Sequence, residues 1–401
     1  MRSISRVATA TAFTAIVAIA AAGCSSSGGG GGTDSGPIKI GQIASLTGNY
    51  APLGSNDKLG AAQAVKEIND GGGLLGGRPL EITVKDDATA PDQAVIAFNN
   101  LAGSGVAAVV GSSFSNASLA VAPLAERQKL VHVSTAASDE QVDPVRPYTF
   151  MTPPTAGAVA EQLLKYFKAQ GMTKMAVAVD TKNAFAVTGW KKMSAVAGKY
   201  GIDFVAQETF ETSTTDFSAV FTHLRGAQAQ GLMVWTTGAP AVTITKQFAS
   251  AGLNMPLVMS HAEASTLYTQ PAGPAANGVT VATSLGVVGP ALPDSRVKTI
   301  ALKMAQPFQQ ANGYYPPQFG LDGYNAVQII AAAIKKAGST ESAKIQKAVE
   351  TMSLVSTQGE YKFSPSDHSG LTSDDVVVTV VKDGNFVPTD WSKQQLSQTL
   401  K

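Results

Sequence analysis

Three stretches of this chain set small hydroxyl side chains and bare backbone where an anion can be held. The first is Gly111-Ser112-Ser113-Phe114-Ser115-Asn116-Ala117-Ser118, which closes an apolar run and leads straight into a helical pattern. Free N–H groups at a helix start carry partial positive charge, so Ser113, Ser115 and Asn116 beside them suit a carboxylate. An ordinary Ser or Asn helix cap accounts for the same residues. The second, Ser134-Thr135-Ala136-Ala137-Ser138-Asp139, follows the next apolar run. Two such loops on neighbouring strands can grip one carboxylate together, through Ala136, Ala137 and Ser138 on this side. The third runs from Ser45 to Gly54 and includes Leu53.

A second group of candidates lies further along. Phe185, in Asp180-Thr181-Lys182-Asn183-Ala184-Phe185-Ala186, can close over an apolar ligand body. Plain packing between two parts of the fold explains it equally. Thr237 and Gly238 sit in the loop after Trp235, and Glu263 follows Ser260-His261-Ala262. Glu263 is the nearby carboxylate that can pair with a ligand ammonium. A solvated loop glutamate is the plainer alternative.

Reactive chemistry is poorly supported. The four histidines, His132, His223, His261 and His368, are scattered, with no HExxH and no close pair, so no metal is expected. No Gly-x-Ser-x-Gly elbow, phosphate loop or dinucleotide fingerprint follows a strand, and no cofactor is expected. A hydrolase using Ser113 or Ser115 with His261 is the remaining catalytic reading. His132 reads as a core residue and His223 as a surface one.

The elements that position these loops read as α/β. From Ile38, short β-branched runs alternate with amphipathic stretches, the pattern of a parallel sheet covered by helices. Strands are predicted over 38–44, 80–85, 107–110 and 130–134, with helices over 60–69, 92–102 and 118–127 between and after them. After a proline-rich segment the pattern restarts, with strands over 175–179, 204–208, 232–235, 256–260 and 279–283 and helices between them. A long helix is predicted over 324–337, and an antiparallel ribbon turns at Asp383-Gly384. The expected fold is two doubly wound parallel-sheet lobes with a ligand cleft between them, bound at the strand carboxyl ends.

The amino-terminal segment reads as an export address. Arg2 and Arg6 precede an apolar run of about sixteen residues that ends in Ala21-Ala22-Gly23-Cys24, a signal peptide over 1–23 with a lipidation site at Cys24. Cys24 is the one cysteine in the 401 residues, so no disulfide forms within the chain. The Ser/Gly stretch up to residue 36 reads as a tether averaging on the order of 20 Å. The expected place is the outer face of the plasma membrane, anchored in the bilayer through acylated Cys24. With 30 Lys plus Arg against 29 Asp plus Glu and no basic block, nucleic acid is excluded as a partner.

Several motifs together resemble the leucine-isoleucine-valine binding family, the type I periplasmic binding proteins of branched-chain amino-acid ABC importers. They are IGQIASLTGNYAPL from Ile40 to Leu53, AAQAVKEINDGGGLLGG from Ala61, Asp86-Asp87, VVGSSFSNAS, VSTAAS, GYNAVQIIAAAIKKAG from Gly323 and the closing Phe363 to Gly370. The resemblance implies a Venus-flytrap joined by three crossing strands, near 148–153, 280–286 and 356–361. It implies a first lobe over 37–150 plus 286–356, a second over 151–285 plus 357–401, a monomer, and a permease as partner. It also implies that Ser115 with Asn116, and Ala136 and Ala137 with Ser138, hold the ligand's carboxylate and ammonium. Phe185 and Ala186 stand where amino-acid binders commonly carry tyrosine and glycine, and Ala262, beside Glu263, stands where the ammonium-binding acid falls. Amides, urea and aromatic carboxylates are therefore further ligand classes, and a ligand sensor docking on a receptor is an alternative role.

Overall fold

The structure, a computed structural model, describes residues 36–400, so the signal peptide, Cys24 and nearly all of the tether lie outside the described residues. The chain opens β1 (Ile38–Ala44), α1 (Ala51–Asp70), β2 (Leu80–Asp86), α2 (Pro91–Gly103), β3 (Ala108–Val110), α3 (Ser115–Gln128), β4 (Val131–Ser134) and β5 (Thr149–Met151). These strands make an all-parallel sheet in the order β2-β1-β3-β4-β5. It continues with α4 (Ala156–Ala169), β6 (Lys174–Asp180), α5 (Ala184–Val196), β7 (Asp203–Phe210), α6 (Ser218–Gly226) and β8 (Leu232–Trp235). Next come α7 (Ala239–Ser250), β9 (Leu257–Met259), α8 (Thr266–Ala272) and β10 (Thr280–Ser284). The parallel part of this second sheet, β7-β6-β8-β9-β10, repeats the order of the first.

The chain then passes through α9 (Arg296–Asn312), α10 (Gln318–Ala337), α11 (Ser342–Glu350) and the hairpin β11 (Ser353–Val355) and β12 (Glu360–Lys362). The predicted antiparallel ribbon is present as β13 (Val376–Lys382) and β14 (Asn385–Pro388), and it extends the second sheet beyond β10. A final helix, α12 (Asp390–Thr399), follows it.

α10 returns to the first lobe and packs on α1, where Gly60 lies so close to the Gly320 carbonyl that any Cβ would collide with it. Phe150, at the edge of the first sheet, stacks on His368, and Met151 N–H donates to the His368 carbonyl at 3.0 Å. The last passage into the second sheet therefore follows residue 368. In the first lobe Ile43, Phe98, Leu101, Val109 and Val121 fill the space between sheet and helices. Leu163, Phe167, Val177, Met233 and Trp235 do so in the second.

Several helices begin earlier than their apolar periodicity predicts. α1 starts at Ala51, not residue 60, and its added turns bury Asn56 and Asp57. α10 starts at Gln318, not 324, and buries Gln318 and Asp322. Buried polar residues break the apolar stripe by which a helix shows itself in sequence. α9 carries the stripe Val297, Ala301, Met304 and Phe308, but an internal Pro307 interrupts it. His132 is buried and His223 is exposed beside Glu208, as expected.

Candidate functional site

In both sheets the strand order reverses on the two sides of one strand, β1 in the first lobe and β6 in the second. Ligands of open α/β sheets bind at the carboxyl ends beside such a switch point. The loops after β1, β3 and β4 face those after β6, β8 and β9 across a cavity with about 390 Å³ of empty space, part of it open to solvent. Leu53, Ser113, Ser115, Ala136, Ala137, Phe185 and Thr237 all line it.

The first-lobe wall is built for an anion. Gly111 takes φ +87°, and a Cβ there would collide with the Ile43 carbonyl, so glycine alone lets the chain leave β3 at this angle. The chain then turns into α3, whose first residue is Ser115. Ser118 Oγ donates to the Ser112 carbonyl at 3.0 Å and lies 2.8 Å from Ser134 Oγ, fastening the β3 and β4 loops together. The Ser113 hydroxyl, by contrast, is buried without any hydrogen-bond partner. A buried hydroxyl left unpaired is costly unless a ligand supplies the partner.

The second-lobe wall is made of rings. Phe185 meets Trp235 edge-on at 5.5 Å and His261 at 5.3 Å between ring centroids. His261 faces the cavity with Nδ1 unpaired, and burial holds it neutral, with its pKa down at about 3. His261 thus shares the cavity with Ser113 and Ser115, yet no carboxylate orients its ring and so low a basicity suits no general base.

One buried acid also faces the cavity. Burial pushes Asp322 up to about 8, against the Gln358 and Gln318 amides that donate to it at 2.6 and 3.1 Å. Gln318 Oε1 accepts from Ser284 N–H at 3.2 Å, at the end of β10. Gln358 Oε1 lies 3.0 Å from the Tyr361 hydroxyl, which also reaches the Thr152 carbonyl just after β5. Asp322 is thereby tied to two of the three passages between the lobes, the one after β5 and the one at the end of β10.

Residues 37–385 match the periplasmic binding protein family. The chain belongs to that family. A Leu/Ile/Val-binding protein homolog of Brucella melitensis is 28% identical over 322 residues, covering 80% of this chain and 85% of the relative. An extracellular ligand-binding receptor of Rhodopseudomonas palustris HaA2 superposes with a TM-score of 0.81 at 22% identity, covering 88% of this chain and 99% of the other. The branched-chain amino acid transporter substrate binding protein of Streptococcus pneumoniae, in complex with isoleucine, gives a TM-score of 0.78 at 23% identity, covering 87% and 97%. A periplasmic binding protein captures solutes, so this chain is a binding protein and not an enzyme. No helix among the described residues is long and apolar enough to cross a membrane.

Four candidates of this binding protein do not line the cavity. Asn116 donates to the Lys182 carbonyl at 3.2 Å and accepts from Ala184 N–H at 3.0 Å, so it clasps the lobes together. Ser138 lies 3.0 Å from Thr188 Oγ1 and is also a lobe-to-lobe contact. Asn183 Nδ2 donates to the Tyr50 hydroxyl at 3.2 Å, and Lys192 pairs with Asp143 at 2.7 Å. With these bonds made, the flytrap is shut. Gly238 and Glu263 line a neighbouring space and not the cavity itself.

Tyr50, Phe114, Thr135, Pro153, Asn183, Phe319 and Asp322 are cavity walls that sequence alone did not single out, whereas Ala262 stands at the position the resemblance pointed to. Tyr50 and Thr135 lie inside the loops quoted above, so position after a strand was the available signal. Phe319 and Asp322 come from a helix start that no local pattern marks.

Proposed function

We propose that this protein is the lipid-anchored, extracytoplasmic capture component of an ABC-type importer, closing its lobes on a small carboxylate-bearing solute. The observation that carries this is the unpaired Ser113 hydroxyl beside the first turn of α3, both lining the cleft between the lobes. The carboxylate sits there, held by Ser113, Ser115 and the bare backbone at Ala136 and Ala137. Tyr50, Phe114, Phe185 and Phe319 surround an apolar ligand body, which suits a branched-chain or other apolar amino acid. The relatives whose names specify leucine, isoleucine and valine favour the same class. Asp322 is the acid within this cavity, and it meets the α-ammonium of an amino acid. The lobes are residues 37–150 plus 286–368 and 151–285 plus 369–401, the expected break after 356 moving to 368 because Phe363 and His368 pack on Phe150; the chain acts as a monomer, and acylated Cys24 holds it beside its permease.

Native mass spectrometry of the freshly purified mature protein identifies what co-purifies, and thermal melts against amino acids and small carboxylates test it. A saturating ligand at about a hundred times Kd stabilises by ~2.7 kcal/mol. A protein whose melting point no amino acid or carboxylate moves, or one that turns a bound ester over, sinks the reading.

A further inference from the structure

Beside the cavity lies a second recess, partly open to solvent, with about 860 Å³ of empty space that nothing in the proposed function uses. Its floor belongs to the second lobe, from the first turns of α7 and α8, and its roof is Pro52, Leu53 and Phe319 of the first. Leu53, Phe319 and Ala262 stand on both walls, and Ala262 is the one second-lobe residue shared. The two spaces therefore adjoin along Leu53, Phe319 and Ala262. Glu263 sits in this otherwise largely apolar chamber at 1% exposure. Its Oε2 accepts from Ser260 Oγ at 2.8 Å, and its Oε1 has no partner. An unpaired carboxyl oxygen walled in by apolar groups calls for a donor from outside the protein.

We propose that this chamber is the far half of the ligand site, taking the N–H-bearing end of an elongated solute whose carboxylate is held at Ser113 and Ser115. The inference rests on the proposed function, since it needs that carboxylate end. The apolar walls around Leu53, Val242 and Phe319 suit the spacer, and Glu263 Oε1 receives an N–H from a terminal ammonium or primary amide. Because the roof and floor belong to different lobes, closure buries both ends of the solute at once. Burial holds Glu263 up at about 8, so near neutrality it carries its proton. A neutral amide meets it as it stands, whereas an ammonium drives that proton off.

Calorimetry of the mature protein with hexanoate, adipamate, ε-aminocaproate and leucine tests this. Adipamate or ε-aminocaproate is expected to bind about ten-fold more tightly than hexanoate, the worth of one buried hydrogen bond to a charged or strongly polar group. Glu263→Leu should erase that preference while hexanoate affinity holds. If Glu263→Leu fails to fold, Val242→Phe, on the partly exposed wall, should weaken hexanoate, adipamate and ε-aminocaproate and leave leucine unchanged. Proton release seen in two buffers of different ionisation enthalpy marks an ammonium, and its absence marks an amide; either agrees with the proposal. Equal affinities for hexanoate and its donor-bearing analogues, or a variant that weakens all alike, overturns the chamber and leaves leucine binding, hence the proposed function, standing. Failure of every compound, leucine included, overturns both.

Discussion

The two lobes share one strand order, β2-β1-β3-β4-β5 against β7-β6-β8-β9-β10, yet they bring different chemistry to the cavity. The first lobe offers Ser113, Ser115, Thr135, Ala136 and Ala137, short side chains that leave the backbone open, together with the rings of Tyr50, Phe114 and Phe319. The second offers Phe185 and His261, backed by Trp235. Directional hydrogen bonds hold a polar head in place before the lobes meet, whereas ring surfaces contribute once they have met and excluded water. The difference teaches that one topology can carry the gripping half on the loops after β3 and β4 of one lobe while the other lobe serves as a covering half, closing rings over the ligand against Tyr50, Phe114 and Phe319.

The largest expected effect removes the covering half. Phe185→Ala deletes a buried aromatic and should cost about 3–5 kcal/mol of stability in denaturant melts, with a clear loss of ligand affinity. Unchanged affinity in a folded Phe185→Ala protein would show that the ring surface takes no part in capture. In the gripping half, Ser113→Ala should weaken ligand binding by about 1–3 kcal/mol in calorimetry while the ligand-free melting point stays put, because the hydroxyl bonds nothing in the protein. A melting point that fell in step with affinity would make this serine structural and break the comparison.

The clasp between the halves should be worth less. Asn116→Ala removes two lobe-to-lobe hydrogen bonds and should lower apparent affinity roughly ten-fold by depopulating the closed form. Scattering at saturating ligand should still show closure; a variant that stays open there would mean Asn116 does more than tip the balance. Ser138→Ala, which removes a lobe-to-lobe contact and not a ligand contact, should show a smaller effect of the same kind, about 0.5–1.5 kcal/mol.

A separate effect concerns pH. Burial raises Asp322 from 3.8 and Glu263 from 4.5 to about 8 each, so the folded chain holds more protons than the unfolded one across that range. Stability from these acids therefore falls as pH rises toward 8. His132 and His261, lowered by burial from 6.5 to about 4 and about 3, act in the opposite direction but only below 6.5. A modest fall in the ligand-free melting point between pH 6.5 and 8 should result, and Asp322→Asn with Glu263→Gln should flatten it. A slope that persists in the double variant would assign it to other groups.

Much of the fold was legible in the sequence because strand period and loop punctuation are local. The runs ending at Ala44, Val110, Ser134, Asp180, Trp235 and Met259 alternate with helices in a way that needs no tertiary information to read. Seven of the cavity-lining residues could be named from position after a strand alone. Asp322 and Phe319 could not, because they enter the cavity from the buried polar start of α10, where the apolar stripe disappears.

The amino-acid order by itself determined the α/β class, the two-lobe repeat and which loops reach the cleft. Only the folded structure decided which neighbour within each loop points inward: Ser113 and not Asn116, Ala262 and not Glu263. Adjacent residues in an irregular loop have no fixed period, so their directions depend on the backbone turn and on contacts such as Asn116 with Lys182 that exist only when both lobes are in place.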